Sequence, residues 1–251
     1  MRDEIKRAVA QSGNDSKLFF NYLENHFGKL QKFDAETEYE IKFDGVYKKH
    51  HLHDINETIE DLIDDSKQWI ALRCDITTDY TVNFFTDEAI EYSVFVYENS
   101  LMMKIKKHNM VRLKKYTLFK SSEKFEYNKE QIYQILQSTS IQYMASMRKQ
   151  REKCFVINKK NGIITASAIT HCTAQDVVQE QYEIEYYAHL NIPYIQVTEE
   201  MIIYELSNIS DTLACDDFLG FKPSKQTKFD FTIANNKGTK TKAQILNDIF
   251  F

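Results

Sequence analysis

Two short stretches hold the residues best placed to do chemistry: Glu38-Tyr39-Glu40-Ile41-Lys42-Phe43 and, far along the chain, Tyr182-Glu183-Ile184-Glu185-Tyr186. Read as strands, they put Glu38, Glu40 and Lys42 on one face and Tyr39, Ile41 and Phe43 on the other, and the second stretch repeats the arrangement. Carboxylates two residues apart on a strand lie roughly 7 Å apart, near enough to approach one cation. If the two strands are neighbours, Glu38, Glu40, Glu183 and Glu185 converge. At an effective dielectric near 20, each pair at ~5 Å repels by about 3 kcal/mol, so the cluster needs cations. Ligands that are all oxygen suit Mg²⁺ or Mn²⁺ better than zinc. Any one alternating strand is ordinarily a half-buried edge with a solvated charged face, so the metal reading rests on the combination.

A third stretch, Arg148-Lys149-Gln150-Arg151-Glu152-Lys153, supplies the opposite charge. As a strand it presents either Arg148, Gln150 and Glu152 or Lys149, Arg151 and Lys153 to one face. The second phase is preferred, because Glu152 beside a phosphate would repel it. Basic side chains at alternate strand positions are awkward in a core and natural inside a closed barrel that holds a polyphosphate. His51 and His53 would also share a strand face, but with no Cys or third ligand at a zinc-like spacing they read as loop histidines.

The elements that must position these groups are mostly strands. Residues 1–31 read as helical, with Leu18, Phe19, Tyr22, Leu23 and Phe27 as an apolar stripe, and the first motif strand runs to about Lys48. Residues 54–66 fit an amphipathic helix. Strands are expected over 69–76, 80–85, 90–97, 101–107 and 111–120, and their short separations suggest an antiparallel meander. Asn128 is placed to cap a helix carrying Ile132, Ile135 and Leu136. Strands follow over 147–157, 163–170 and 181–190, then a helix over 197–207 expected to cover an end of the sheet. Residues 218–240 are weakly patterned and read as loop, and Thr241 is placed to cap a last helix.

The chain of 251 residues, with two prolines and six glycines, has no linker or low-complexity segment and reads as a single domain. Within it residues 1–31 are a helical segment, 32–192 the strand-rich body and 193–251 a helical tail. A net charge of −5 argues against a general duplex DNA binder. The scattered Cys74, Cys154, Cys172 and Cys215 form no CxxC pair and read as reduced thiols. No stretch has the apolar length of a signal peptide or membrane span, which leads to an expectation of a soluble, intracellular protein with no membrane partner.

With these residues in view, Glu38-x-Glu40-x-Lys42 and Glu183-x-Glu185 resemble the paired glutamate motifs of the triphosphate tunnel metalloenzymes. That family comprises the metal-dependent RNA 5′-triphosphatases of mRNA capping and the related CYTH domains. The resemblance spans residues 36–190. It implies an α+β fold: a closed antiparallel β-barrel of about eight strands with flanking helices. It also implies that Glu38, Glu40, Glu183 and Glu185 hold Mg²⁺ or Mn²⁺. Residues 80–85 look like the family's middle strand, and residues 116–123 like the strand whose lysine contacts phosphate. Lys120 therefore joins Lys42, Lys149, Arg151 and Lys153 as an expected phosphate-facing cation.

Two departures are plain. Thr81 stands where the middle strand usually carries an arginine, and Ile163-x-Thr165-x-Ser167 where an Arg-x-Asp-x-Thr pattern is expected. Lys104, Lys106 or Arg73 are candidates to replace the missing charge. The implied function is removal of the γ-phosphate of triphosphate-ended RNA, with a capping guanylyltransferase as a candidate partner. The alternatives are a small-molecule triphosphatase acting on nucleoside or inorganic triphosphate, and a noncatalytic module of the same fold.

Overall fold

The computed structural model describes residues 2–13, 15–44, 61, 68–73, 77–86, 88, 90–174, 177–215, 220–235 and 240–251. The histidine run at 50–53 and, residue 61 apart, the helix expected over 54–66 lie outside them.

Eleven strands are described: β1 (Thr37–Asp44), β2 (Trp69–Arg73), β3 (Thr77–Phe85), β4 (Ile90–Val96), β5 (Leu101–Lys107), β6 (Met110–Arg112), β7 (Thr117–Glu126), β8 (Gln142–Asn158), β9 (Ile163–Ala174), β10 (Val177–His189) and β11 (Lys222–Pro223). The helices are α1 (Arg2–Ser12), α2 (Ser16–Phe27), α3 (Lys129–Leu136), α4 (Glu199–Ala214), α5 (Lys228–Ala234) and α6 (Lys242–Phe250). The run expected over 111–120 is broken in two, β6 ending at Arg112 and β7 beginning at Thr117.

Eight of the strands close on themselves. The order is β1-β10-β9-β8-β3-β4-β5-β7, every pairing is antiparallel, and β7 pairs back to β1. Closure removes the free edges, and the two-residue period then sorts side chains into an inner and an outer set. On β1, Glu38, Glu40 and Lys42 turn into the lumen while Tyr39, Ile41 and Phe43 are fully buried outside it. At β8–β9 the hairpin turns at Gly162, φ +70°, where a Cβ would fall 2.6 Å from Ile192 Cδ1.

Three apolar layers hold the barrel from outside its polar interior. Ile202, Leu206, Ile209 and Leu213 of α4 pack on the outer residues of β1 and β10. This helix therefore covers an outer face of the sheet rather than an end, because its apolar stripe matches the Tyr39–Phe43 side of β1. Ile132 and Leu136 of α3, with Ile245, Leu246 and Phe250 of α6, cover Val82, Phe84, Val94 and Met103. The third layer is α1–α2, whose Ile5, Phe19 and Leu23 pack on Phe155, Ile157 and Ile164 where β8 and β9 outrun the closed part.

The expected caps form. Asn128 Oδ1 accepts from the backbone N–H of Glu130 and Gln131 at 3.0 and 3.1 Å, and Thr241 with Gln244 makes a capping box. Residues 218–240, read as loop, instead contain β11 and α5. Their signal was present: Thr227 N–H donates to Asp230 Oδ2 at 2.7 Å and Asp230 N–H to Thr227 Oγ1 at 3.0 Å, a reciprocal cap of the T-x-x-D kind. Among the described residues, no helix is long and apolar enough to cross a membrane.

Candidate functional site

The lumen is a cavity of about 330 Å³ in which both glutamate motifs and the basic stretch meet. Strands β1 and β10 are direct neighbours, with Glu40 opposite Glu185 and Lys42 opposite Glu183. All four glutamates expected to bind metal therefore share one wall. Like charges set directly opposite destabilise a sheet unless something neutralises them. Lysines do so for part of the wall. Lys42 Nζ lies 2.8 Å from Glu183 Oε1 and 2.7 Å from Glu40 Oε2, and Lys228 also reaches Glu183. Lys106 pairs with Glu38, while Lys104 bonds Glu123 at 2.5 Å and stands 3.9 Å from Glu38. Lys104 and Lys106, candidates to replace the absent arginines, are thus lumen residues.

The pairing is uneven, and the carboxyl groups respond accordingly. Burial opposes ionisation of Glu38 and Glu183, but Lys106 beside the first and Lys228 with Lys42 beside the second hold both below the usual carboxylate range. Glu40 goes the other way: burial, joined by repulsion from Glu183 and Glu38, outweighs Lys42 and raises it. Burial and the charges of Glu38 and Glu40 push Glu185 up to about 7. Lys42 approaches Glu40 Oε2 off any hydrogen-bonding direction, which leaves that buried oxygen without a hydrogen bond.

Among the described residues, no three His, Cys, Asp or Glu side chains are drawn together closely enough to hold a metal ion, and lysine ammonium groups stand between the carboxylates. The donor set nonetheless fits a hard divalent cation in kind. It offers carboxylate oxygens only, an orphaned oxygen on Glu40, and Glu185 directly across from it.

The facing wall is β8. Its register with β9, Lys149 opposite Cys172, Arg151 opposite Thr170 and Lys153 opposite Ala168, sets Lys149, Arg151 and Lys153 inward, the phase that charge favoured. Arg148 and Gln150 are exposed on the other side. Arg151 pairs with Asp79, whereas Lys149 and Lys153 have no ion pair among the described residues. Burial, with Lys228 and Arg151 nearby, brings the Lys149 ammonium down to about 8, and burial with Arg151 lowers Lys153 as well.

Lys120 requires a correction. It lies opposite Tyr39, on the outside of the barrel, and its Nζ pairs with Glu199 of α4 at 2.8 Å. The inward residues of β7 include Glu123 and Phe125. The frame assumed for β9 also shifts by one. Thr165 and Ser167 pair with Tyr186 and Ile184 on the outer side, so that Ala166, Ala168 and Thr170 face the carboxylate wall. Strand β9 adds space there rather than charge. Thr81, where an arginine was expected, is fully buried and supplies only a hydroxyl, 3.4 Å from the Met147 carbonyl.

Sequence reasoning missed several lumen groups. Lys228 comes from the stretch read as loop and reaches Glu183 because β11 ties that stretch to β1 and Gln181 Nε2 donates to the Gln226 carbonyl at 3.0 Å. Glu91 accepts from Ser93 Oγ at 2.5 Å and lies 3.0 Å from His108 Nε2, forming a polar cluster at the inner end. The alternation Glu91-x-Ser93 and Lys104-x-Lys106-x-His108 was the signal for these.

No family model matches the chain, and no curated protein matches it. Solved structures similar to it include a conserved hypothetical protein from Pyrococcus furiosus, 14% identical, covering 74% of this chain and 96% of that one with a TM-score of 0.45. A Bacillus halodurans protein provisionally described as an adenylate cyclase is 12% identical, covering 78% and 98% with a TM-score of 0.44. The Mimivirus capping enzyme triphosphatase is 11% identical, covering 79% and 97% with a TM-score of 0.40. The architecture itself is settled by the strand pairing, in which β1 joins both β10 and β7 around a charged lumen. The chain is a closed eight-stranded antiparallel β-barrel with flanking helices, the architecture expected from its resemblance to the triphosphate tunnel metalloenzymes.

Proposed function

We propose that this protein is a metal-dependent phosphohydrolase that removes the γ-phosphate from triphosphate-ended RNA. One observation carries the reading: a wall of four glutamates and a wall of Lys149, Arg151 and Lys153 face each other across one closed lumen. Such a lumen suits a ligand that brings both a cation and a string of phosphates. Glu38, Glu40, Glu183 and Glu185 would hold Mg²⁺ or Mn²⁺, which when bound neutralises and polarises the terminal phosphoryl group. Lys149 and Lys153, short of anionic partners, would take phosphate oxygens, and Arg151 adds a forked donor set beside them. Water attacks the γ-phosphorus in line, the bond to the β–γ bridging oxygen breaks, and the diphosphate end leaves carrying charge that these cations stabilise. Lys42 and Lys106 are paired with Glu183 and Glu38, so metal binding by those carboxylates would free both ammonium groups for phosphate oxygens.

The test is phosphate release with Mg²⁺ and with Mn²⁺ from triphosphate-ended RNA and from inorganic triphosphate, for the parent, Glu38→Ala and Glu183→Ala. Metal-dependent release that each substitution lowers by about 10²-fold or more is expected. Activity that survives either change overturns the four-glutamate site. Release from inorganic triphosphate alone assigns the enzyme to small triphosphates instead.

A further inference from the structure

The two ends of the lumen differ. At the end where β1 finishes, α5 lies across it: Phe231 packs on Met147 and Cys172, and Thr227 and Lys228 face inward. Lys42, Lys149 and Glu183 there are each no more than 8% exposed. At the end where β1 begins, the rim is aromatic and open. Tyr97 is 45% exposed, Phe125 47% and Tyr127 68%. Phe125 and Tyr127 stack with ring centres 6.5 Å apart and 22° between planes. Tyr97 lines the same mouth and interacts electrostatically with Asp79, Arg151 and Tyr127.

The register sets the depth of this rim. On the β5–β7 pair, Glu123 lies opposite Lys106 and Phe125 opposite Lys104, so the aromatic surface begins one pleat, about 7 Å, outward of the Lys106–Glu38 pair. A triphosphate bound among the inner cations would thus carry whatever is esterified to it past these rings. Aromatic faces held open beside lysine and arginine suit a planar base attached to a phosphate chain, because every nucleobase has a π-face to stack.

We infer that Phe125, Tyr127 and Tyr97 form a stacking platform for the nucleobase joined to a 5′-triphosphate held in the lumen. The inference rests on the lumen being a triphosphate site and adds that the site selects a nucleoside end over inorganic polyphosphate. A groove of about 670 Å³ bordered by Lys17 and Phe20 of α2 shares Arg151, Lys153 and Tyr187 with the mouth, giving a following nucleotide a cationic way out.

Binding and turnover separate this platform from the hydrolytic reading. The probe is the β,γ-imido analogue of 2-aminopurine riboside triphosphate, whose base fluorescence is quenched by stacking, with inorganic triphosphate as competitor and Mg²⁺ present. The parent should quench the probe and bind it more tightly than inorganic triphosphate. Phe125→Ala and Tyr127→Ala should each weaken the probe by about tenfold and leave inorganic triphosphate unchanged. Phe125→Leu keeps apolar bulk without a π-face and should behave as the alanine variant does. Equal affinity of the parent for both ligands, equal loss of both in the variants, full retention by Phe125→Leu, or no binding at all overturns the platform. Selective binding without phosphate release supports it while overturning the hydrolytic function. A short 5′-triphosphate RNA run in parallel distinguishes the source of the base: tighter binding than the mononucleotide points to RNA, equal binding to free nucleotide, and both keep the platform.

Discussion

The two charged walls of the lumen are not mirror images. On the glutamate wall two of the four charges are answered within the protein: Glu38 by Lys106, and Glu183 by Lys42 and Lys228. On the β8 wall only Arg151 is answered, by Asp79, while the buried Lys149 and the half-buried Lys153 have no ion pairs among the described residues. Burial therefore works against these two lysines, and Lys149 sits at about 8. The contrast shows where a ligand supplies most. An anion along β8 relieves two desolvated ammonium groups, and a cation on the opposite wall relieves chiefly Glu40 and Glu185. A lumen arranged this way favours the metal and the polyphosphate together over either alone.

The sharpest break of this contrast comes from removing the internal answer on the glutamate wall. Lys42 is 4% exposed and stands between Glu40 and Glu183. Lys42→Met takes the nearest cation from Glu40 and leaves Glu183 with Lys228 alone, and a buried charge that loses its partner costs about 3–5 kcal/mol. Urea unfolding should show a loss of that order, partly restored by millimolar Mg²⁺ or Mn²⁺ because the variant's wall then needs a cation more than the parent's does. A midpoint that neither falls nor responds to the metal would mean that Lys42 does not balance the wall.

The opposite substitution on the facing wall should stabilise. The folded Lys149 ammonium loses its proton near 8 against an ordinary value of 10.5, so between those pH values the unfolded chain holds more protons than the folded one. Stability therefore rises with pH through that window, and below about pH 8 the full penalty is present, on the order of 3 kcal/mol. Lys149→Met removes it. The variant should exceed the parent in stability at pH 7 by up to that amount, lose the advantage by pH 10.5, and show weaker protection by added triphosphate. Equal unfolding midpoints at pH 7 would contradict the desolvated β8 wall.

How much of this was legible in the sequence follows from the same two walls. Glu38, Glu40 and Lys42 could be assigned to the lumen because their alternating partners, Tyr39, Ile41 and Phe43, are all apolar and leave one consistent phase. For β8 the pattern was ambiguous, and charge repulsion at Glu152 chose the phase that the register with β9 shows. The residues 116–123 offered no such lever. Phe119 and Lys120 are adjacent, and it is the aromatic one that turns inward, beneath the Lys42 ammonium at 5.3 Å from the ring centre. Lys120 lies outside because a partner far along the chain, Glu199 on α4, meets it there. Lys228 was invisible for a related reason, since its place in the lumen depends on the pairing of β11 with β1 rather than on its own neighbours.

That misreading of Lys120 yields the smallest effect and a clean control for the inner and outer sets. Its Nζ is partly solvated, lies 5.5 Å from the centre of the Tyr39 ring, and pairs with a carboxylate that is itself about a third exposed. Pairs of this kind contribute about 0.5 kcal/mol. Lys120→Ala should therefore lower the urea midpoint by little and leave phosphate release within about twofold of the parent, since an outer-face cation adds nothing to transition-state charge across the strand. Lys153→Ala, one of the inward cations of β8, should reduce release by at least tenfold in the same assay. If the two variants lose activity alike, the strand phase that separates inside from outside is wrong on one of the two strands. If only Lys153→Ala does, closure of β7 onto β1 is what sorts the lysines into ligand-facing and structural sets.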